Sequence, residues 1–280
     1  MTKKPVRHIL SLSGGKDSTA MAIFLRDKIP DLEHVFSDTD KELPETYEYL
    51  DKLEAYLGEK IVRLRSDYGF DHWLQVYSGF LPSARMRWCT KMLKIRPFET
   101  YIGDDEVNMY IGIRADENRG GYQPYKSNIH PVYPFIEAGM TIDDIHDILE
   151  QSGIGFPGYY SWRSRSGCYF CFFQQKREWL GLKEHHPDLF EKAKWYEEEF
   201  VRKKQSDVGT KKITNEERHT WNDDEYLHEL EQPDRALKIL ERHKQQVIAA
   251  KKRCKSNKLL DVFAQLDEID GPLPCSFCHI

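Results

Sequence analysis

Ser11-Leu12-Ser13-Gly14-Gly15-Lys16-Asp17-Ser18 follows a short apolar, β-favouring run, Val6 to Leu10. It leads directly into Thr19-Ala20-Met21-Ala22-Ile23-Phe24-Leu25, whose length and composition predict a helix. The chain therefore opens as strand, glycine-rich turn, helix. Such a turn aims free backbone N–H groups at one spot beside the positive end of a helix dipole, and phosphate is its natural occupant. Gly14 and Gly15 carry no Cβ and let the backbone approach a polyphosphate closely. Ser11, Ser13, Gly14, Gly15, Lys16, Asp17 and Ser18 are the expected cradle, with Lys16 as a mobile cation and Asp17 as a carboxylate for Mg²⁺. The G-x-x-x-x-G-K-[ST] spacing of a Walker A loop is absent.

Further along, Glu33 to Phe36 reads as a second strand, ending in Ser37-Asp38-Thr39. A strand–helix–strand unit this short implies parallel pairing with a right-handed crossover. Ligands of such sheets bind outside the carboxyl ends of the strands, which puts Asp38 and Thr39 beside the phosphate loop. Thr46 to Leu57 has helical apolar spacing and stops at Gly58, and Ile61 to Leu64 is a third strand followed by Arg65. The cation-rich run Arg85 to Pro97 predicts a helix ending near Ile95, and either a solvated basic helix or an anion-binding wall accounts for its charge. Val107 to Ile113 predicts a strand, and Arg114 and Arg119 follow its carboxyl end, where guanidinium groups pair well with oxyanions. Ile129 to Phe135 is extended, and Thr141 to Asp144 is a capping box opening a helix to Leu149. Gly153 to Gly158 matches G-x-G-x-x-G, but no strand precedes it and Pro157 interrupts it, so it is no dinucleotide fingerprint. From Lys176 onward the chain is mainly helical, with Trp179, Phe190, Trp195 and Tyr196 as core aromatics and a polar loop from Arg202 to Thr214.

Four of the six cysteines form two C-x-x-C pairs, Cys168/Cys171 and Cys275/Cys278. Such pairs in an intracellular α/β enzyme indicate metal, cluster or redox chemistry in preference to structural disulfides. Both pairs together would make a Cys₄ zinc site and leave Cys89 as a reactive thiol.

Several of these stretches resemble one family. Ser13-Gly14-Gly15-Lys16-Asp17-Ser18 resembles the signature of the PP-loop ATP pyrophosphatases. Asp38-Thr39-Asp40 through Glu45-Thr46 is similar to an element of the phosphoadenosine phosphosulfate (PAPS) reductase branch, with Asp40 in place of the usual glycine. Cys89 to Pro97 resembles that branch's cysteine–Leu-Lys-x-x-Pro element. Its Trp88-Cys89-Thr90 form is similar to relatives of the sulfur-incorporating enzyme of DNA phosphorothioation. Gly112-Ile113-Arg114 and Gly167-Cys168-Tyr169-Phe170-Cys171 complete the series. The resemblance implies a doubly wound, mostly parallel α/β sheet of the adenine nucleotide alpha hydrolase-like kind over residues 1–165. Residues 166–280 follow as a helical region bearing both C-x-x-C pairs. It implies an enzyme that binds ATP with Mg²⁺ and adenylates an acceptor or supports sulfur transfer, releasing pyrophosphate. Lys16, Asp17, Arg114 and Cys89 are then the catalytic candidates. Asp38, Thr39 and Arg119 join the cradle on the nucleotide. Cys89, Cys168 and Cys171, with Cys275 or Cys278, become candidate ligands of a [4Fe–4S] cluster. The alternative within the family is a sulfonucleotide (PAPS or APS) reductase releasing sulfite with a thioredoxin-like partner. The Cys278-His279 end matches the reductases' tail only in part.

At 280 residues the chain can bury a full core, and a net charge of −5 gives no global pull toward nucleic acid or membrane. No apolar run is long enough to span a bilayer, and cleavage of Met1 to Leu12 as a signal would destroy the phosphate loop, so a cytoplasmic location is expected. Asp234 to Lys258 is a basic helical stretch: either a solvated face or, in a nucleic-acid-binding accessory protein, a track for the phosphate backbone.

Overall fold

In the computed structural model the chain runs β1 (Arg7–Leu12), α1 (Lys16–Leu25), β2 (Leu32–Asp38), α2 (Pro44–Leu57), β3 (Ile61–Arg65) and α3 (Phe70–Val76). It continues through α4 (Trp88–Thr90), a π-turn (Lys91–Ile95), α5 (Arg96–Ile102), β4 (Val107–Tyr110), β5 (Ile129–Val132), α6 (Pro134–Glu137) and α7 (Ile142–Gln151). A 3₁₀ turn (Gly158–Ser161) leads to α8 (Lys176–His185), α9 (Pro187–Val208), α10 (Leu227–Leu230) and α11 (Pro233–Arg253). The structure describes residues 5–118, 120–208, 220–222 and 225–253.

The five strands form one all-parallel sheet in the order β3-β2-β1-β4-β5. This is the doubly wound α/β architecture. The last four residues of β1 are buried, as expected for a central parallel strand covered on both faces. One face packs Leu10, Leu12 and Phe36 against Met21, Leu50, Leu53, Ile145 and Leu149 from α1, α2 and α7. The other packs Ile9, Val35 and Met109 against Phe98 and Ile102 of α5. A third cluster joins Leu43, Phe70 and Trp88 to Phe170, Trp179, Phe190, Tyr196, Trp221 and Leu227. The helices of the C-terminal region thus share a core with the α3–α4 side of the sheet.

Local rules explain the boundaries. Pro44 opens α2, and Gly58 closes it at φ 72°. The Asp144 carboxylate accepts the Thr141 N–H at 2.7 Å, closing half of a capping box on α7.

Four expectations need correction. β4 ends at Tyr110 and not at Ile113, because past this point the chain leaves the sheet to cross the β1–α1 loop. The helix through Cys89 does not stop near Ile95: the wide π-turn Lys91–Ile95 lets it restart as α5 with Pro97 in the first turn, where a missing N–H costs little. The stretch 202–208, expected as loop, continues α9, whose Lys, Arg and Gln residues are good helix formers. Trp195 is 47% exposed, because the helical step turns it away from the buried face that Tyr196 occupies.

Candidate functional site

The strand order reverses between β1 and β4, so the crevice at their carboxyl ends is where a ligand of this architecture binds. Ser13, Gly14 and Gly15 form one lip. Gly14 sits at φ 70°, and a Cβ there would lie 2.7 Å from Thr46 Cγ2, so the position requires glycine. The loop folds on its own hydroxyls. Ser18 Oγ accepts from Ser13 N at 3.2 Å and donates to the Gly15 carbonyl at 3.2 Å.

Ile111-Gly112-Ile113-Arg114 forms the other lip. Gly112 passes so close to α1 that a Cβ would stand 3.1 Å from the Asp17 carbonyl oxygen. This contact carries Arg114 to the start of α1. Its guanidinium meets Asp17 at 2.9 Å, Asp116 at 2.9 Å and Glu117 at 2.7 Å, while Lys16 Nζ reaches the other Asp17 oxygen at 3.2 Å. Two buried cations therefore share Asp17. Burial works against both charges, but Asp17 and its acidic neighbours outweigh it, and the pKa values of Lys16 and Arg114 rise. Among the described residues, the carboxylates of Asp17, Asp116 and Glu117 thus surround these two cations. Among the described residues no group of three or more His, Cys, Asp or Glu is arranged to hold a metal ion. Mg²⁺ fits this chain as an ion carried on nucleotide phosphates with one carboxylate in reach, its usual mode of binding.

At the end of β2 the two expected residues part ways. Asp38 is buried and its carboxylate is filled: it accepts from Asp40 N at 2.9 Å, Tyr47 Oη at 2.8 Å and Arg65 Nε at 2.9 Å. Asp40 lies at φ 61°, the left-handed conformation that a glycine would take, which aspartate tolerates better than most residues. Thr39 instead faces the C-terminal region. Its Oγ1 donates to Glu42 Oε1 at 2.8 Å and lies 3.1 Å from Cys168 Sγ. Burial, then the Glu42 carboxylate, push the Cys168 thiol well up, with Lys94 opposing. Cys89, Cys168 and Cys171 are not joined in disulfides, and Cys89 and Cys168 pack against the same aromatic cluster. These thiols do not by themselves make a metal site. Arg119, Cys275 and Cys278 lie outside the described residues. Ser11 is buried within β1.

Several residues that line the loop carried no signal in the sequence. Tyr159 Oη donates to the Gly14 carbonyl at 2.8 Å. Lys16 N donates to Tyr160 Oη at 3.2 Å, and Ser166 Oγ donates to Ser13 Oγ at 3.1 Å. All three come from the strap between the 3₁₀ turn and the first C-x-x-C pair. Only Ser166, two residues before Cys168 and beside Gly167, stood next to anything the sequence marked.

Residues 7–129 match the phosphoadenosine phosphosulfate reductase domain family. An uncharacterized protein of Methanocaldococcus jannaschii, MJ0066, is 29% identical over 204 residues, covering 68% of this chain and 41% of that protein. A second from the same organism, MJ0973, is 26% identical over 198 residues, covering 65% and 45%. The chain thus spans less than half the length of these curated relatives. An uncharacterized 37.8 kDa protein of Escherichia phage 186 is 26% identical over 234 residues, covering 61% of this chain and 68% of that one. Among solved structures, a PAPS reductase of Candida auris in a phosphate complex covers 60% of this chain and 82% of its own at 13% identity and TM-score 0.47. The U34-tRNA thiolase NcsA of Methanococcus maripaludis, with its [4Fe–4S] cluster, covers 75% and 74% at 13% identity and TM-score 0.41. No helix among the described residues is long and apolar enough to cross a membrane.

Proposed function

From the match of residues 7–129 to the phosphoadenosine phosphosulfate reductase domain family, we propose that the chain is an enzyme of that kind, which binds ATP with Mg²⁺ at the β1–α1 loop and transfers adenylate to an acceptor in support of sulfur transfer. The observation that carries this reading is the meeting of Lys16, Asp17 and Arg114 at the start of α1, inside the crevice where the strand order reverses. In this reading a bond forms between the acceptor and the α-phosphorus, the bond from that phosphorus to the bridging oxygen breaks, and pyrophosphate leaves. Loop amides and the Ser13 and Ser18 hydroxyls bind the phosphates. Lys16 and Arg114, turning from Asp17 to the nucleotide, offset the charge that grows on the leaving pyrophosphate. Asp17 would hold Mg²⁺, which would supply further charge neutralisation. Thr39, directly after β2, lies 3.1 Å from Cys168 Sγ, which supports a role for that thiol, with Cys89 and Cys171, in handling sulfur near the carboxyl edge of the sheet. Cys275 or Cys278 would complete a cluster with these three, or both would form a zinc site with Cys168 and Cys171 and leave Cys89 as a reactive thiol.

The test is direct. The protein with Mg-ATP and candidate acceptors should release AMP or adenylated product together with pyrophosphate, and Lys16→Ala and Asp17→Ala should abolish release. Release of sulfite from PAPS or APS in the presence of thioredoxin, without ATP turnover, would assign the reductase reaction instead. Failure of every nucleotide to bind would remove the proposal.

A further inference from the structure

The phosphate loop is already occupied, and its occupant is the chain itself. The amide of Lys16, at the first position of α1, is one that a phosphoryl oxygen would take, and here it donates to Tyr160 Oη at 3.2 Å. Ser166 Oγ lies 2.8 Å from where a Cβ on Gly15 would stand, an approach that the bare glycine backbone leaves open. It also binds Ser13 Oγ at 3.1 Å. Both hydroxyls arrive on a strap that is firmly held elsewhere. Tyr159 is tied to the Gly14 carbonyl, Arg163 to the Gly167 and Cys168 carbonyls at 2.9 Å each, and Ser164 N to Glu178 at 2.7 Å. The strap is held in place, and the Tyr160 and Ser166 hydroxyls are the groups it sets against the loop.

We propose that Tyr160 and Ser166 are built-in competitors for polyphosphate: the Tyr160 oxygen takes the amide proton that a phosphoryl oxygen would take, the Ser166 hydroxyl engages the Ser13 hydroxyl beside it, and a nucleotide binds by displacing them. This rests on the reading of the loop as a phosphate site and adds what sets its affinity. One N–H serves one good acceptor, so the contact of Lys16 N with Tyr160 must be broken before a phosphoryl oxygen can take that amide. Tyr160→Phe isolates the effect. It removes one oxygen and keeps the ring that stacks on Tyr159 at 5.0 Å and lies 5.5 Å from Lys16 Nζ.

Titration calorimetry of the full chain with Mg-ATP and with inorganic pyrophosphate tests it. Tyr160→Phe should bind both about three- to tenfold more tightly than the wild type, the range of one net hydrogen bond. Ser166→Ala should shift in the same direction. Adenosine, which has no phosphate, should show no gain. Unchanged or weaker pyrophosphate binding by Tyr160→Phe, or an equal gain for adenosine, overturns the competitor role while leaving the loop's phosphate binding intact. Absence of ATP and pyrophosphate binding in the wild type and in both variants overturns the phosphate site and the competitor together. A purely structural role for Tyr160 would lower the melting temperature of the free protein without tightening either ligand.

Discussion

At the scale of single residues, the site is governed by how closely backbones approach and by which charges are buried together. Gly112 was not singled out by any motif argument beyond its place before Arg114, yet it sets the distance between the two lips of the crevice. Its neighbours are the Asp17 carbonyl and the Ser18 amide, which are backbone and cannot rotate away. Gly112→Ala should therefore destabilise the protein by about 1–3 kcal/mol, the usual cost of overpacking, and weaken nucleotide binding by displacing Arg114. Denaturant melts and calorimetry read the two effects separately; full stability in the variant would show that the lips have room to part. Cys168 gives a second case. Burial, and next the Glu42 carboxylate, favour its neutral thiol. Only the thiolate reacts with alkylating reagents, so Cys168 should label slowly at pH 8 and Glu42→Gln should speed it up. Mass-spectrometric mapping of iodoacetamide labelling checks this, and a slower rate in the variant would contradict it. The glycines, Lys16, Asp17 and Arg114 were legible in the sequence because backbone freedom and charge are local properties. Tyr160, Ser166 and Glu42 were not, because their roles come from tertiary contacts up to 153 residues apart in the chain.

At the scale of elements, the strap and α8 are coupled through one carboxylate. Glu178, fully buried, accepts from Ser164 N at 2.7 Å, Ser164 Oγ at 2.6 Å and Gln175 N at 3.0 Å. It therefore caps α8 and pins the segment that delivers Ser166 to the phosphate loop. Glu178→Ala leaves two amides without their acceptor, and roughly 2–4 kcal/mol of stability should go with them. Hydrogen exchange should then rise at Ser164 and Gln175 and through the strap; exchange confined to α8 would show that the two are not coupled. The elements themselves were largely readable from sequence: β1, α1, β2, α2 and β3 fall within a few residues of their expected bounds. The errors came where tertiary demands overrule local ones. Residues 111–113 have strand composition but must bridge the loop, and Pro97 has a helix-stopping character that the preceding π-turn absorbs.

At the scale of the whole molecule, the question is what holds the C-terminal helices to the sheet, and Glu197 makes that attachment dependent on pH. Its carboxylate accepts from Trp221 N at 2.9 Å and Leu227 N at 2.8 Å, and so ties α9 to the segment that brings Trp221 into the shared aromatic core. Trp221 stacks on Phe170 at 4.8 Å, two residues from Cys168, and Phe170 lies 4.4 Å from Phe70 on the sheet side. Burial, only partly offset by the two amides, pushes the Glu197 pKa up to about 8 from 4.5. The folded state thus holds this proton more tightly than the unfolded chain does. The stability it contributes is complete below about pH 4.5 and is lost as the pH rises through about 8. Between those limits the slope approaches 1.4 kcal/mol per pH unit, acting against folding as the pH increases. Glu197→Gln cannot ionise, so its melting temperature should fall less than that of the wild type between pH 5 and pH 9. The loss in the wild type should be accompanied by quenching or exposure of the buried tryptophans near this clamp, since the clamp and the aromatic core open together. Parallel pH profiles for the two proteins would mean that the carboxylate is already ionised at neutral pH, held in that form by its two amides.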